Sequence, residues 1–262
     1  MDPSLSTAAT GMKAQQTRVE VIANNLANVN TTGFKRSRAH FEDLLYQTVE
    51  GAEQIEGAEA DSTQEVQVGR GTRLAAVQRV ESQGPLEQTG RPLDMAIEGE
   101  GYFQVQLANG QMAYTRDGSF TISDQGTLVT NGGYTIAPGI SVPNDATNLV
   151  VSRTGVVTVT LSGSPEGVEI GRLELARFPN SPGLRALGEN LFQETAASGP
   201  PTLGFPQEDG FGRLLQGTLE GSNVEIVQEM VEMITALRAY EINSKAVTSA
   251  EEMAEIANSL IR

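Results

Sequence analysis

GSNVEIVQEMVEMITALRAYEINSKAVTSAEEMAEIANSLIR, residues 221–262, is the stretch whose reading decides the fold. It opens on Ser222-Asn223-Val224-Glu225, a Ser-x-x-Glu capping box in which each side chain can take a free backbone N–H at a helix start. Neither Pro nor Gly follows. Ile226, Met230, Met233, Leu237 and Tyr240 recur in steps of four and three, and Val247 follows after a polar Ser244. The phase then moves to Ala250, Met253, Ala257 and Leu260, which is still a helical period. A helix of this length runs roughly 55 Å at about 1.5 Å per residue. Its apolar stripe needs a partner.

The partner expected from the sequence lies at the opposite end. Leu5, Met12, Val19 and Leu26 are spaced by seven, and a second row reads Ala8, Gln15, Ile22 and Val29. Two such rows are the a and d positions of a heptad stripe. Asp2 suits an N-cap and Pro3 the first helical position. The helix is expected to stop near Asn30-Thr31-Thr32-Gly33, with Gly33 free to take a left-handed conformation. Many residues of this segment are Ser, Thr or Asn, mediocre helix formers, so it should be helical only when packed. Through Arg38 it carries Lys13, Arg18, Lys35, Arg36 and Arg38 against Asp2 and Glu20. The segment from Gly221 carries seven glutamates against Arg238, Lys245 and Arg262. Opposite charge and matched stripes predict that the ends pack together, within or between subunits. Leu5, Met12, Val19, Ile22 and Leu26 are set against Ile226, Met230, Met233, Leu237 and Tyr240 or their equivalents on neighbouring subunits, with Val247, Met253 and Leu260 continuing the stripe.

Between the ends the pattern changes. A short helix is predicted over Ala39 to Val49, carrying Phe41, Leu44 and Leu45. Residues 50–65 follow as an acidic stretch, a loop or an arm that orders against a neighbour. From Val66 to about Phe178 short strands alternate with turn signals. Asn109-Gly110 between Tyr102–Leu107 and Met112–Thr115 is a hairpin signal, and Arg153-Thr154-Gly155 sits between two further apolar runs. Asp124-Gln125-Gly126 and Asn131-Gly132-Gly133 punctuate the strands between them, Leu173–Phe178 adds a strand, and Ser198–Gly212, rich in Gly and Pro, reads as loop. The fold class is therefore α+β: two long terminal helices pairing as a coiled coil, with a mainly antiparallel β-rich domain between them. The expected divisions are 1–34, N-terminal helix; 35–70, linker with the short helix and acidic arm; 71–180, β-rich domain; 181–220, return linker; and 221–262, C-terminal helix.

Composition narrows the function. There are 262 residues, with no cysteine, no tryptophan, and a single histidine, His40. A disulfide framework, a thiolate metal site and a multi-histidine metal site are excluded, and no metal or cofactor is expected. The net charge of −15 argues against nucleic acid. The start of the chain lacks the basic and apolar regions of a cleavable signal, and no apolar run approaches a membrane span. A soluble cytoplasmic protein and a protein secreted with an uncleaved signal both fit. No phosphate loop, His-Glu-x-x-His or Gly-x-Ser-x-Gly occurs. Gly69-Arg70-Gly71 lacks the third glycine and the βαβ context of a dinucleotide fingerprint, and Asn30-Thr31-Thr32 is a sequon of the kind that arises by chance. Asp94, Glu98, Glu100, Asp117 and Asp124 supply carboxylates for a glycosidase-type pair. They sit in or beside predicted hairpins, and with only 5% aromatics there is little platform for a sugar. No catalytic residue is assigned.

Three segments carry a resemblance. Ala8-Ala9-Thr10-Gly11-Met12 with Asn24-Asn25-Leu26-Ala27-Asn28-Val29-Asn30-Thr31-Thr32-Gly33-Phe34-Lys35 resembles the N-terminal signature of the bacterial flagellar axial (rod and hook) family. Leu93–Phe103 and Tyr114–Phe120 resemble its central β-domain signature, and Leu237–Lys245 its C-terminal one. Phe41–Gln47, the acidic stretch and the overall length are closer to the distal-rod members than to the proximal rod proteins or the larger hook protein. Asp2, where an apolar residue is expected, and His40, where an acidic one is usual, depart from the pattern. The resemblance implies a non-enzymatic subunit that polymerises helically into the hollow drive shaft crossing the periplasm and passes torque from motor to hook. It implies export through the flagellar type III apparatus, and a coiled coil of the two ends lining the channel with the β-domain outside. It implies an acidic arm from about Tyr46 to Gly69 contacting neighbours along the rod. The implied partners are further copies of the chain, proximal rod proteins below, the hook protein or hook–rod junction above, and the surrounding P- and L-ring proteins. A proximal-rod or hook-type paralogue, a secreted carbohydrate-active enzyme and a monomeric adhesin remain the alternatives.

Overall fold

The computed structural model describes residues 3–50, 66–143, 145–162 and 166–260. The expected N-cap Asp2 and most of the acidic stretch lie outside the described residues. The chain divides into two compact units, Met1–Leu26 with Ser37–Gln78 and Ile226–Arg262, and Ala27–Arg36 with Arg79–Glu225. The first unit is helical with a β-ribbon. The second is built from antiparallel sheets, so the α+β class holds.

In the first unit α1 spans Pro3–Ala27 and α2 spans Ile226–Leu260. The α2 start corrects the capping-box reading. Asn223 is committed to the second unit: its Oδ1 accepts from Arg36 N at 2.7 Å and its Nδ2 donates to Val80 O at 2.8 Å. Such side-chain-to-backbone bonds compete with helix nucleation, and the helix begins three residues later. Ser222 Oγ accepts from Val224 N at 3.4 Å and is buried.

The short helix expected at 39–49 is absent. In its place are β1, Ser37–Asp43, and β2, Tyr46–Glu50. With β3, Val66–Gly69, and β4, Thr72–Arg79, they form a two-stranded ribbon in which β1 pairs with β4, and β2 with β3 in antiparallel register, Tyr46 opposite Gly69. Burial along the start of β1 alternates, Ser37, Ala39 and Phe41 half-buried and Arg38, His40 and Glu42 exposed. That period of two belongs to a strand. Leu45 is 89% exposed, and Tyr46, Val68, Leu74 and Val77 are also exposed.

In the second unit, strands Tyr102–Gln106 and Met112–Thr115 form the hairpin that Asn109-Gly110 signalled, with Gln106 opposite Met112. Tyr102–Gln106 lies inside the largest sheet and packs on both faces. Phe103 and Val105 enter the main core, where Phe103 meets Phe120 edge-on at 5.0 Å. Tyr102 points to a second cluster with Tyr114, Phe178, Leu184 and Phe192. Strands Ala146–Val151, Val156–Leu161 and Gly167–Arg172 form a three-stranded meander around the Arg153-Thr154-Gly155 turn. Residues 181–220, expected as a linker, contribute strands instead. Arg185–Gly188 and Leu191–Gln193 extend the large sheet, Thr202–Gly204 pairs with Leu175–Arg177, Arg213–Gln216 with Met95–Glu98, and Thr218–Glu220 with Leu86–Gln88. Short edge strands bounded by Gly and Pro do not show in a hydrophobic pattern. Gly33 takes the expected left-handed conformation, φ +67°, beyond the end of α1, and a Cβ there would lie 2.8 Å from the Arg116 carbonyl carbon.

Candidate assembly surface

The two helices of the first unit run antiparallel, as three contacts show. Gly11 faces Asn243, Arg18 Nη2 lies 3.3 Å from Glu232 Oε2, and Asn25 Nδ2 donates to Glu229 Oε2 at 3.1 Å. Among the described residues of α2 the buried ones are Glu229, Ala236 and Ala250, with Asn243 half-buried between them. They recur every seven residues and hold one side of the helix. On α1 the buried residues are Ala14, Ile22 and Asn25. Apart from Ile22, the intrachain seam is thus made of small and polar side chains. Gly11 permits the close approach, since a Cβ there would sit 3.0 Å from Asn243 Nδ2.

This places the sequence-predicted stripe differently from expectation. Ile22 is buried in the seam; Met233 and Val247 are half-buried beside it. Leu5, Met12, Val19 and Leu26 are half-buried. Ile226, Met230, Leu237, Tyr240 and Met253 are exposed within the chain, and the Leu260 side chain lies outside the described residues. Within the chain the contact line on α2 runs through Glu229, Ala236 and Ala250 and not through the larger apolar residues of the stripe. Ala236 and Ala250 carry less hydrophobic weight than Met and Leu, so an apolar pattern does not pick them out as the contact line.

At 100° per residue, Ile226, Leu237, Met230 and Ile234 lie about 60–140° around α2 from Glu229, and Val227 and Val231 beyond them. All six are exposed, Val227 at 77%. From residue 226 to 242 the larger apolar side chains lie on the outer side of the helix, away from the small and polar seam. Glu241, and beyond that segment Lys245, Glu252 and Glu255, bring exposed charges to the same side. A contiguous row of exposed apolar side chains of this kind is the feature that marks interaction surfaces.

Chemistry in the second unit is spoken for by structure. Asp94 accepts from Thr89 Oγ1 at 2.6 Å. Asp117 Oδ1 accepts from Thr32 Oγ1 at 2.9 Å and from Ser119 N at 3.0 Å, closing a turn. Glu98 takes a two-toothed bond from Arg213 at 2.6 and 2.9 Å, and that hydrogen bond holds its carboxyl below the usual carboxylate range. Glu100 lies 3.9 Å from Arg177. His40 is an exposed strand residue. Among the described residues no cluster of His, Asp and Glu could hold a metal ion, and no helix is long and apolar enough to cross a membrane.

Comparison with known proteins matches three segments of the chain to family models. Residues 5–35 match "Flagella basal body rod protein", residues 96–159 match "Flagellar hook protein FlgE/F/G D1 domain", and residues 215–260 match "Flagellar basal body rod FlgEFG protein C-terminal". The flagellar basal-body rod protein FlgG of Caulobacter vibrioides is 49% identical over 258 residues, 98% of each chain. The FlgG of Bacillus subtilis is 38% identical, covering 95% of this chain and 96% of its own. The flagellar hook-basal body complex protein FlhP of the same organism is 29% identical over 98% of each.

Proposed function

The chain belongs to the flagellar basal-body rod protein family, and from that premise we propose that it is a structural subunit of the distal rod that polymerises helically through its terminal helices. The observation that carries the reading is the uncovered apolar side of α2 between Ile226 and Ile242. The half-buried row Leu5, Met12, Val19 and Leu26 flanks the seam of α1 on the same rotational side as Ile226, Met230 and Leu237 on α2. In an antiparallel pair, flanks of one rotational sense fall on one side of the pair. The two rows that the sequence seemed to match against each other therefore form a single apolar face, and it is covered by neighbouring copies. Burial of such a face over many repeats holds a shaft together without any single strong contact.

The chain does no chemistry; it carries load. It sits in the basal body, with proximal rod proteins below, the hook protein or hook–rod junction above and the P- and L-ring proteins around it, and it reaches that place through the flagellar export apparatus. The higher identity to FlgG than to FlhP in one organism supports the distal-rod assignment over a paralogue. Electron microscopy of basal bodies from cells lacking this chain alone tests it. The expected result is a rod that stops short, without hook or outer rings. A full-length rod with a hook overturns the assignment.

A further inference from the structure

We propose that Asn25 is a positioning residue, a three-way latch that fixes the register of α2 against α1 and joins that register to the root of the β-ribbon. Asn25 is 1% exposed and both polar atoms of its side chain are engaged. Its Oδ1 accepts from Ser37 N at 2.8 Å. Its Nδ2 donates to Ser37 O at 2.9 Å and to Glu229 Oε2 at 3.1 Å. Ser37 is the first residue of β1 and Glu229, 2% exposed, lies in the first turn of α2. One amide therefore closes both backbone groups of the ribbon's first residue and a buried carboxylate of the other helix.

The need for such a device follows from the seam itself. Ala14, Ala236, Ala250 and Gly11 are alike in size, so small-residue packing alone distinguishes poorly between registers one heptad apart. A slip that sets Ala236 opposite Asn25 offers a methyl group where a carboxylate is needed, and it moves Ala250 opposite Gly11. Buried polar groups that lose their partner are strongly disfavoured, and a single one can specify helix register. The outer apolar face does not fix register, because it faces away from the seam. The latch rests on the assembly reading only for the state in which the ends are held.

The absence of cysteine from the chain makes register readable by disulfide trapping. Gly11→Cys with Asn243→Cys reports the native register, and Gly11→Cys with Ala250→Cys the slipped one. In purified basal bodies the native pair should cross-link and the slipped pair should not. Asn25→Ala should lower the native-to-slipped ratio about tenfold, the factor that corresponds to losing a hydrogen bond to a charged group. Asn25→Asp should lower it further by setting two carboxylates together and losing the bond to Ser37 O, and adding Glu229→Gln should restore part of the ratio by exchanging donor and acceptor across the helix pair. An unchanged ratio in Asn25→Ala overturns the latch. So does an Asn25→Asp ratio that Glu229→Gln leaves unmoved, since that outcome removes the Asn25–Glu229 bond from the setting of register. A parent chain missing from basal bodies counts against the rod reading instead, and the latch is then judged with the same cysteine pairs in the purified full-length chain.

Discussion

Lys35 Nζ lies 2.5 Å from Glu220 Oε1 with both side chains sealed from solvent, 1% and 0% exposed. The two residues are 185 positions apart. Lys35 also donates to Ser82 O at 2.8 Å, and Gly84 N donates to the same glutamate oxygen at 3.1 Å. The other oxygen lies 3.4 Å from Arg116 Nη1, which with Nη2 donates to Ile97 O and Gly99 O. One carboxylate thus gathers two buried cations in the second unit. Burial pushes the Lys35 ammonium below its ordinary range, and the attraction of Glu220 opposes that shift.

Removing the shared anion should cost more than removing either cation. Glu220→Ala leaves Lys35 and Arg116 facing each other in a dry site, and breaking a buried pair this way costs about 3–5 kcal/mol. Lys35→Met leaves Glu220 with Arg116 and the Gly84 N–H, so its cost should be smaller. Urea unfolding of the full chain, followed by tyrosine near-ultraviolet circular dichroism, ranks the two. Equal midpoints would mean that Glu220 is not the centre of the group.

The second unit should weaken in alkali for a reason that lies in its aromatic cluster. Burial pushes the Tyr102 and Tyr114 hydroxyls above their ordinary range, and for Tyr102 the neighbouring Glu81 adds to the shift. A raised folded pKa means stability fully present below the unfolded value of about 10 and lost as pH rises through the folded one. Lys35 has the opposite sign: its lowered folded pKa makes stability rise with pH between that value and about 10.4. Tyr102→Phe separates the two. At pH 8 it should cost about 1–3 kcal/mol, because the Tyr102 hydroxyl donates to Glu81 Oε2 at 2.9 Å. At pH 11 the gap between parent and variant should narrow. A gap that stays constant across that range would show that Tyr102 does not titrate with unfolding.

Gly33→Ala should destabilise the second unit by more than the about 1 kcal/mol of an ordinary Gly–Ala exchange. The new methyl would meet Arg116 and Asp117 backbone at 2.8 Å, and φ is +67°. A thermal midpoint equal to that of the parent would contradict the close approach.

The hairpins were readable because their turns have chemistry of their own: Gly110 and Gly155 take left-handed backbone. The first ribbon strand was misread because Phe41, Leu44 and Leu45 also fit helical spacing, while its strand signal, exposed Arg38, His40 and Glu42, is equally common on a helix face. The Lys35–Glu220 pair could not be read at all, since nothing local marks residues 185 apart as partners. The α2 contact line was hidden for a different reason. Its seam residues, Glu229, Ala236, Asn243 and Ala250, are small or polar, so apolar periodicity reports the outer side, where the larger residues are. Asn25 was visible only as part of a motif; its role needed the coordinates of Ser37 and Glu229.

Two adjacent substitutions on α2 should therefore part company. Leu237 is 47% exposed and Ala236 is 0% exposed. Leu237→Asp should change the stability of the isolated full chain by no more than about 0.5 kcal/mol, as an exposed substitution does. Ala236→Asp buries a charge in the seam without a partner and should cost several kcal/mol, with loss of helix pairing. In cells both variants should abolish rod assembly, Ala236→Asp because the chain cannot form its helix pair and Leu237→Asp because a folded chain meets its neighbour with a carboxylate on the apolar face. Circular dichroism of the purified chains and motility on soft agar give the two readouts. Normal swimming by Leu237→Asp cells would remove the outer face of α2 from the assembly interface. A stable helix pair in Ala236→Asp would remove the small-residue seam.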